Sequence, residues 1–197
     1  MSTPAEQYAA AKARGTHPLT TQFIGQFDFG FDEFQVAACH AVEDGKGVLV
    51  AAPTGAGKTV VGEFAAFSAL AQGKKCFYTT PIKALSNQKF HEFVDRFGED
   101  RVGLLTGDTN INSEADVLVM TTEVLRNMLY ANSTTLKNLG SVVMDEVHYL
   151  ADKSRGAVWE EVLIHLMESV QVISLSATVS NAEEFGEWLG DVFDVAE

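Results

Sequence analysis

The sequence is poor in cysteine, proline and basic residues: 2 cysteines, 4 prolines, and 14 Lys+Arg against 27 Asp+Glu in 197 residues. Each scarcity excludes something. Cys39 and Cys76 both stand in apolar surroundings and read as free thiols of a reducing compartment, so no disulfide framework or cysteine metal site can be built. Few prolines leave room for long regular elements. No run of about 18 apolar residues occurs, and the first residues, Met1 to Arg14, contain Glu6 and no apolar block. The expectation is a soluble, cytoplasmic protein with no membrane partner. The formal charge, 14 − 27 = −13, argues against a protein that coats nucleic acid by bulk electrostatics, because phosphate binding draws on basic side chains that release counterions. Any such partner must be held locally.

What is present is globular: 46% hydrophobic and 21% charged residues, on a length that fits about one domain. Residues 1–21 are alanine-rich and polar, with Pro4 and Pro18 at the ends of a short helical stretch, and read as a mobile arm or frayed helix; residues 22–197 read as one domain. Beyond the arm, short β-branched apolar runs alternate with segments of helical period, the pattern of βαβ units on a mostly parallel sheet with helices on both faces. Strands are predicted over Gly47–Ala52, Lys75–Thr80, Val102–Leu105, Val117–Met120, Ser141–Met144 and Gln171–Ser174. Helices are predicted near Glu33–Glu43, Lys58–Ala71, Ala84–Phe97, Glu123–Tyr130, Ala157–Ser169 and Ala182–Leu189. Runs such as Val142-Val143-Met144 are apolar on both faces, as central strands covered on both sides must be. Right-handed crossovers then collect the loops after the strands on one edge, where chemistry is expected.

The strongest motif is Ala52-Pro53-Thr54-Gly55-Ala56-Gly57-Lys58-Thr59, directly after a strand and before a helix. Small residues let a loop wrap a phosphate chain with converging N–H groups, and the helix N-terminus adds its positive dipole end. Lys58 can reach the β- and γ-phosphates of ATP and the Thr59 hydroxyl can join a Mg²⁺ shell. Ala52 stands where the general pattern has its first glycine. A second motif, Asp145-Glu146-Val147-His148, ends an apolar strand. Its carboxylates can divide two jobs, Asp145 holding Mg²⁺ through water and Glu146 activating the attacking water. A third, Ser176-Ala177-Thr178, follows the last strand; its hydroxyls are placed to bond Asp145 or Glu146, and helix capping by Thr178 or Ser180 is an equal reading.

These motifs, in order with Phe29-Gly30-Phe31-Asp32-Glu33-Phe34-Gln35, Pro81-Ile82-Lys83-Ala84-Leu85-Ser86-Asn87-Gln88-Lys89, Thr106-Gly107-Asp108 and Thr121-Thr122-Glu123, resemble the first RecA-like domain of a superfamily 2 helicase. More narrowly the chain resembles the Ski2-like (Ski2/Mtr4-type) DEVH-box RNA helicases, by the Pro81 to Lys89 string and by Asp152-Lys153-Ser154-Arg155-Gly156-Ala157-Val158-Trp159-Glu160-Glu161. The resemblance runs from about Phe27 to Leu189. It implies that Gln35 reads the adenine edge and Phe29 stacks on the ring, with Phe27 and Phe31 near enough to keep that choice open. Glu33 stands where the family often has proline. It implies that Pro81, Lys83, Gly107, Thr121 and Glu123 lie in loops that grip successive phosphates of single-stranded RNA. Lys83 and Lys89 would add local positive charge, and each is also readable as a solvated helix residue. His148, Ser176 and Thr178 would couple the nucleotide site to the strand site.

A helicase of this group needs a second RecA-like domain in cis, with its arginine finger, and the 19 residues after Thr178 cannot hold one. The sequence is therefore expected to be the ATP-binding part of a larger enzyme, poorly active alone, and the resemblance implies 3′ to 5′ movement on RNA and an RNA-decay complex as partner. Two other readings stand beside it: a superfamily 2 DNA helicase or translocase, and a non-catalytic nucleotide-binding scaffold. The scaffold would be marked by loss of Lys58, Asp145 or Glu146, and all three are present.

Overall fold

A computed structural model describes residues 3, 5, 6, 12, 15–151, 158, 161, 162, 164–166, 168–177, 195 and 196. The elements follow in the order α1 (Pro18–Ile24), α2 (Glu33–Glu43), β1 (Gly47–Ala51), α3 (Thr59–Ala71), β2 (Lys75–Thr80), α4 (Lys83–Phe97), β3 (Val102–Leu105), β4 (Asn110–Ile111), β5 (Val117–Thr121), α5 (Thr122–Tyr130), β6 (Leu139–Met144), β7 (Gln171–Ser176) and β8 (Val195–Ala196). Short 3₁₀ turns fill Glu99–Arg101, Thr134–Leu136 and Val147–Ala151. Helix α1 crosses the boundary drawn at residue 21, because Thr20 and Phe23 are buried and the Glu43 carboxylate caps it through the N–H groups of Leu19 and Thr20 at 2.9 and 2.8 Å. Thr178, the expected helix over Ala182–Leu189 and nearly all of the Asp152 to Glu161 string lie outside the described residues.

The eight strands form one sheet in the order β4-β3-β5-β2-β6-β7-β1-β8. Every pairing is parallel except β3 with β4. The α/β sheet expected from the apolar runs is therefore present, with β4 and β8 as added two-residue edges. Period-2 side chains sort it into two cores. Tyr78, Val119, Val143 and Ile173 pack with Phe23, Phe64 and Phe93 of the helices on one face. Phe77, Leu118, Met144 and Val172 pack with Leu125 and Val162 on the other.

Strand order fixes where chemistry falls. Loops after β6, β7 and β1, three adjacent strands, make one half of the carboxyl-terminal edge; loops after β3, β5 and β2 make the other. β2 and β6 are neighbours, with Tyr78 opposite Val143, so the two halves meet there.

Candidate nucleotide and strand site

Strand β1 delivers the loop 52–58 to the edge, and Gly55 and Gly57 turn it with φ of +86° and +81°, values that glycine adopts at little cost. Lys58 folds back over this loop, donating to the carbonyls of Ala52 at 2.7 Å and Pro53 at 3.2 Å. Thr59 opens α3. The loop is locked from outside by Gln35: its Oε1 accepts from the Asp32 N–H at 2.8 Å, and its Nε2 donates to the Gly57 carbonyl at 3.1 Å. A Cβ on Gly57 would lie 2.5 Å from Gln35 Nε2, so glycine is needed here twice over. Both amide atoms of the residue expected to read adenine are thus engaged within the protein. Phe29 is 57% exposed and packs its ring against Phe27 and Phe31, while Phe23 is fully buried and Phe27 and Phe31 pack against the core.

Strand β7 separates the two motif strands: Ala51 is opposite Ser176, and Met144 is opposite Ser174. Beyond β6, Asp145 is 8% exposed and its carboxylate has a donor on each oxygen, Tyr78 Oη at 2.6 Å on Oδ2 and the Glu146 N–H at 2.8 Å on Oδ1. Glu146 is left-handed, φ +57°, which turns its side chain back toward His148. His148 Nε2 lies 3.0 Å from Glu146 Oε2, and its Nδ1 accepts the Ala177 N–H at 3.1 Å. With Nδ1 an acceptor, the neutral ring carries its proton on Nε2 and donates to Glu146. His148 therefore ties the second carboxylate to the end of β7.

The hydroxyl contacts expected from Ser176 differ. Its Oγ donates to the Ala177 carbonyl at 2.7 Å and not to Asp145 or Glu146, because an adjacent backbone acceptor satisfies this buried hydroxyl first. His148 makes the link instead.

On the other half of the edge, Pro81 follows β2, Gly107 follows β3, and Thr121 closes β5 opposite Thr80. Helices α4 and α5 both start there, presenting their first-turn N–H groups. Thr122 Oγ1 donates to the Thr80 carbonyl at 3.2 Å and fastens the two loops together. Lys83 pairs with Asp108 at 2.5 Å, and that bond, then one from Thr106, holds the exposed Asp108 carboxyl below its ordinary range. Glu123 is exposed in the first turn of α5. Lys89 departs from the expected role: its ammonium turns inward, donating to Glu92 at 2.7 Å and to Thr59 Oγ1 at 3.4 Å, on the nucleotide side of the molecule. Sequence reasoning did not single out Tyr78. Its signal was a phenol beside Cys76 and Phe77 in a predicted central strand, a group that a core accepts only with a partner.

A parallel sheet with a glycine-rich loop and a carboxylate pair at the ends of two strands separated by one defines a phosphate-binding α/β domain. Residues 32–185 match the DEAD/DEAH box helicase family, and the chain belongs to it. It is 64% identical over 171 residues to the "Probable helicase HelY" of Mycobacterium tuberculosis (87% of this chain, 19% of that protein). It is 51% identical over 162 residues to the antiviral helicase SKI2 of Saccharomyces cerevisiae (82% and 13%) and 50% over 182 residues to the chloroplastic DExH-box ATP-dependent RNA helicase DExH15 of Arabidopsis thaliana (89% and 16%). The Ski2-like resemblance thus extends over most of the chain, and the chain spans less than a fifth of the length of these relatives. Among the described residues no helix is long and apolar enough to cross a membrane.

Proposed function

We propose that the chain is the ATP-binding domain of an ATP-dependent RNA helicase of the Ski2-like DEVH type. The observation that carries this is the division of one sheet edge: the phosphate loop, Asp145 and Glu146 lie after β1 and β6, while on the other half Pro81 and Gly107 lie after β2 and β3 and Thr121 ends β5. In this reading Pro53, Thr54, Gly55, Ala56 and Gly57 cradle the phosphates with backbone N–H groups, and Lys58 exchanges its loop carbonyls for phosphate oxygens. Gln35 reads adenine after releasing its internal partners, and the exposed Phe29 stacks on the ring. Thr59 and Asp145 would hold Mg²⁺: a hydroxyl and an oriented, buried carboxylate suit a cation that keeps several waters and borrows phosphate oxygens. The ion would neutralise phosphate charge. Glu146 takes the proton of the attacking water, with His148 holding its carboxylate in place and linking it to the end of β7, the segment that carries Ser176 and leads to Thr178.

Single-stranded RNA is held in this reading by the Pro81, Gly107 and Thr121 loops and the first turns of α4 and α5, beside Lys83 and Glu123. Lys83 is offset by Asp108 and accompanied by Glu123, so backbone amides carry the grip and the charge of −13 is no obstacle. The intact protein then has a second RecA-like domain in cis, moves 3′ to 5′, acts in the cytoplasm and serves an RNA-decay complex; this domain alone binds nucleotide and hydrolyses it slowly.

The test is ATP turnover and nucleotide binding by the intact protein. Lys58→Ala is expected to weaken binding. Glu146→Gln is expected to keep binding and lower turnover by at least about 10²-fold, the scale of general base catalysis. Single-stranded RNA is expected to stimulate the wild type. Stimulation by DNA alone would select the DNA translocase, and unchanged turnover in Glu146→Gln would remove Glu146 from its role.

A further inference from the structure

Tyr78 is fully buried, and its hydroxyl reaches Asp145 Oδ2 at 2.6 Å. An ionised carboxylate only accepts, so the phenol is the donor of this bond. The ring that carries this hydroxyl is held on three sides. On α3, a Cβ at Gly62 would sit 2.7 Å from Tyr78 Cε2, so the absence of a side chain there makes the space for the ring. On α4, Phe93 meets it edge-on with centroids 5.0 Å apart. Also on α4, the Lys89 ammonium stands 5.9 Å from its centroid while reaching Thr59 Oγ1. A carboxylate with one oxygen on a backbone N–H and the other on a clamped phenol cannot rotate freely. Its remaining lone pairs keep one direction.

We propose that Tyr78 is a positioning residue for the magnesium–nucleotide site, fixing the rotation of the Asp145 carboxylate from strand β2. The inference rests on the reading of Asp145 as a group that holds Mg²⁺. It also gives the meeting of β2 and β6 a use. Tyr78 precedes the Pro81 loop by three residues, so the phenol spans from the strand that feeds the nucleic-acid half of the edge to the carboxylate of the nucleotide half. Outer groups that orient a metal ligand are worth about 10- to 100-fold in metal affinity.

The experiment is a Mg²⁺ titration of the affinity of the intact protein for a fluorescent methylanthraniloyl-ADP. The wild type comes first: if Mg²⁺ does not tighten binding there, the magnesium reading itself falls. Given that tightening, Tyr78→Phe, which keeps the ring and removes only the hydroxyl, is expected to raise the Mg²⁺ concentration for half-effect about 10-fold with Mg²⁺-free affinity unchanged. Phe93→Leu loosens the clamp and keeps the hydroxyl, so it is expected to lower the thermal midpoint while moving the Mg²⁺ half-effect far less. An unmoved half-effect in Tyr78→Phe, or an equal shift in both variants, overturns the proposal.

Discussion

Burial decides the chemistry of Cys39 and Cys76 more than their sulfur does. Both are 0% exposed, and burial pushes each thiol up to about 12, with Glu43 adding to the effect at Cys39. The thiolate is the reactive form, and at pH 8 it is about one part in 10⁴ of such a thiol. Raising pH toward 12 increases it, and lowering pH only reduces it further. Neither cysteine is therefore expected to react with Ellman's reagent at pH 8 until the chain unfolds, when both do; fast titration of a native thiol would contradict the burial. Glu146 shows the opposite bargain at a single residue. The other non-glycine residues with positive φ among those described are asparagines, which tolerate it, whereas glutamate there costs about 1–2 kcal/mol. The strain sits on the side chain with the chemical assignment. Its identity was readable from the Asp-Glu pair, while its backbone was not, since nothing local in Met144-Asp145-Glu146-Val147 requires a left-handed turn. The contacts of Lys89 and Ser176 were not readable for a related reason: the reach of a flexible ammonium and the choice of a hydroxyl are settled by the folded surroundings, Glu92 and Thr59 holding the ammonium and the adjacent Ala177 carbonyl taking the hydroxyl.

At the scale of elements, hydropathic period found the strands that are apolar on both faces and the helices α2, α3, α4 and α5. It stopped short where pairing and not hydropathy extends a strand. β5 runs on to Thr121 because Thr80 of β2 lies opposite it, and β7 continues to Ser176 because Ala51 does. β4 is two exposed residues, Asn110 and Ile111, too short to carry any period. Helix α3 shows what the sequence could not display about packing. Gly62 reads as a mild helix weakness, yet a Cβ there would meet Tyr78 Cε2 at 2.7 Å and Leu175 and Val143 side-chain carbons at 3.3 Å. Gly62→Ala gains about 1 kcal/mol of helix propensity and loses about 1–3 kcal/mol to overpacking against a ring already clamped on its other faces. The expected result in urea unfolding is net destabilisation of about 1 kcal/mol, and net stabilisation would mean that the ring moves freely.

For the whole molecule, the assembly of the sheet matters more than its composition. Among the described residues β1 pairs with β7 and β8 alone, both within 171–197, whereas β3, β5, β2 and β6 pair among themselves. A chain stopped at residue 170 therefore keeps four mutually paired parallel strands, leaves β1 with neither neighbour and bares one edge of β6. Open edges of apolar strands invite pairing between molecules. Such a chain is expected to elute as aggregates in size-exclusion chromatography and to show no cooperative melt; a soluble monomer with a sharp transition would mean that β7 is dispensable. The order of the sheet also sets a clock. Ala51 leaves the ribosome about 120 residues before Gln171, a wait on the order of 10 s at ordinary synthesis rates. Throughout that interval the strand bearing the phosphate loop lacks both of these partners, so the nucleotide pocket is among the last parts of this domain to close, and the nascent domain spends its most adhesive seconds with that loop's strand exposed.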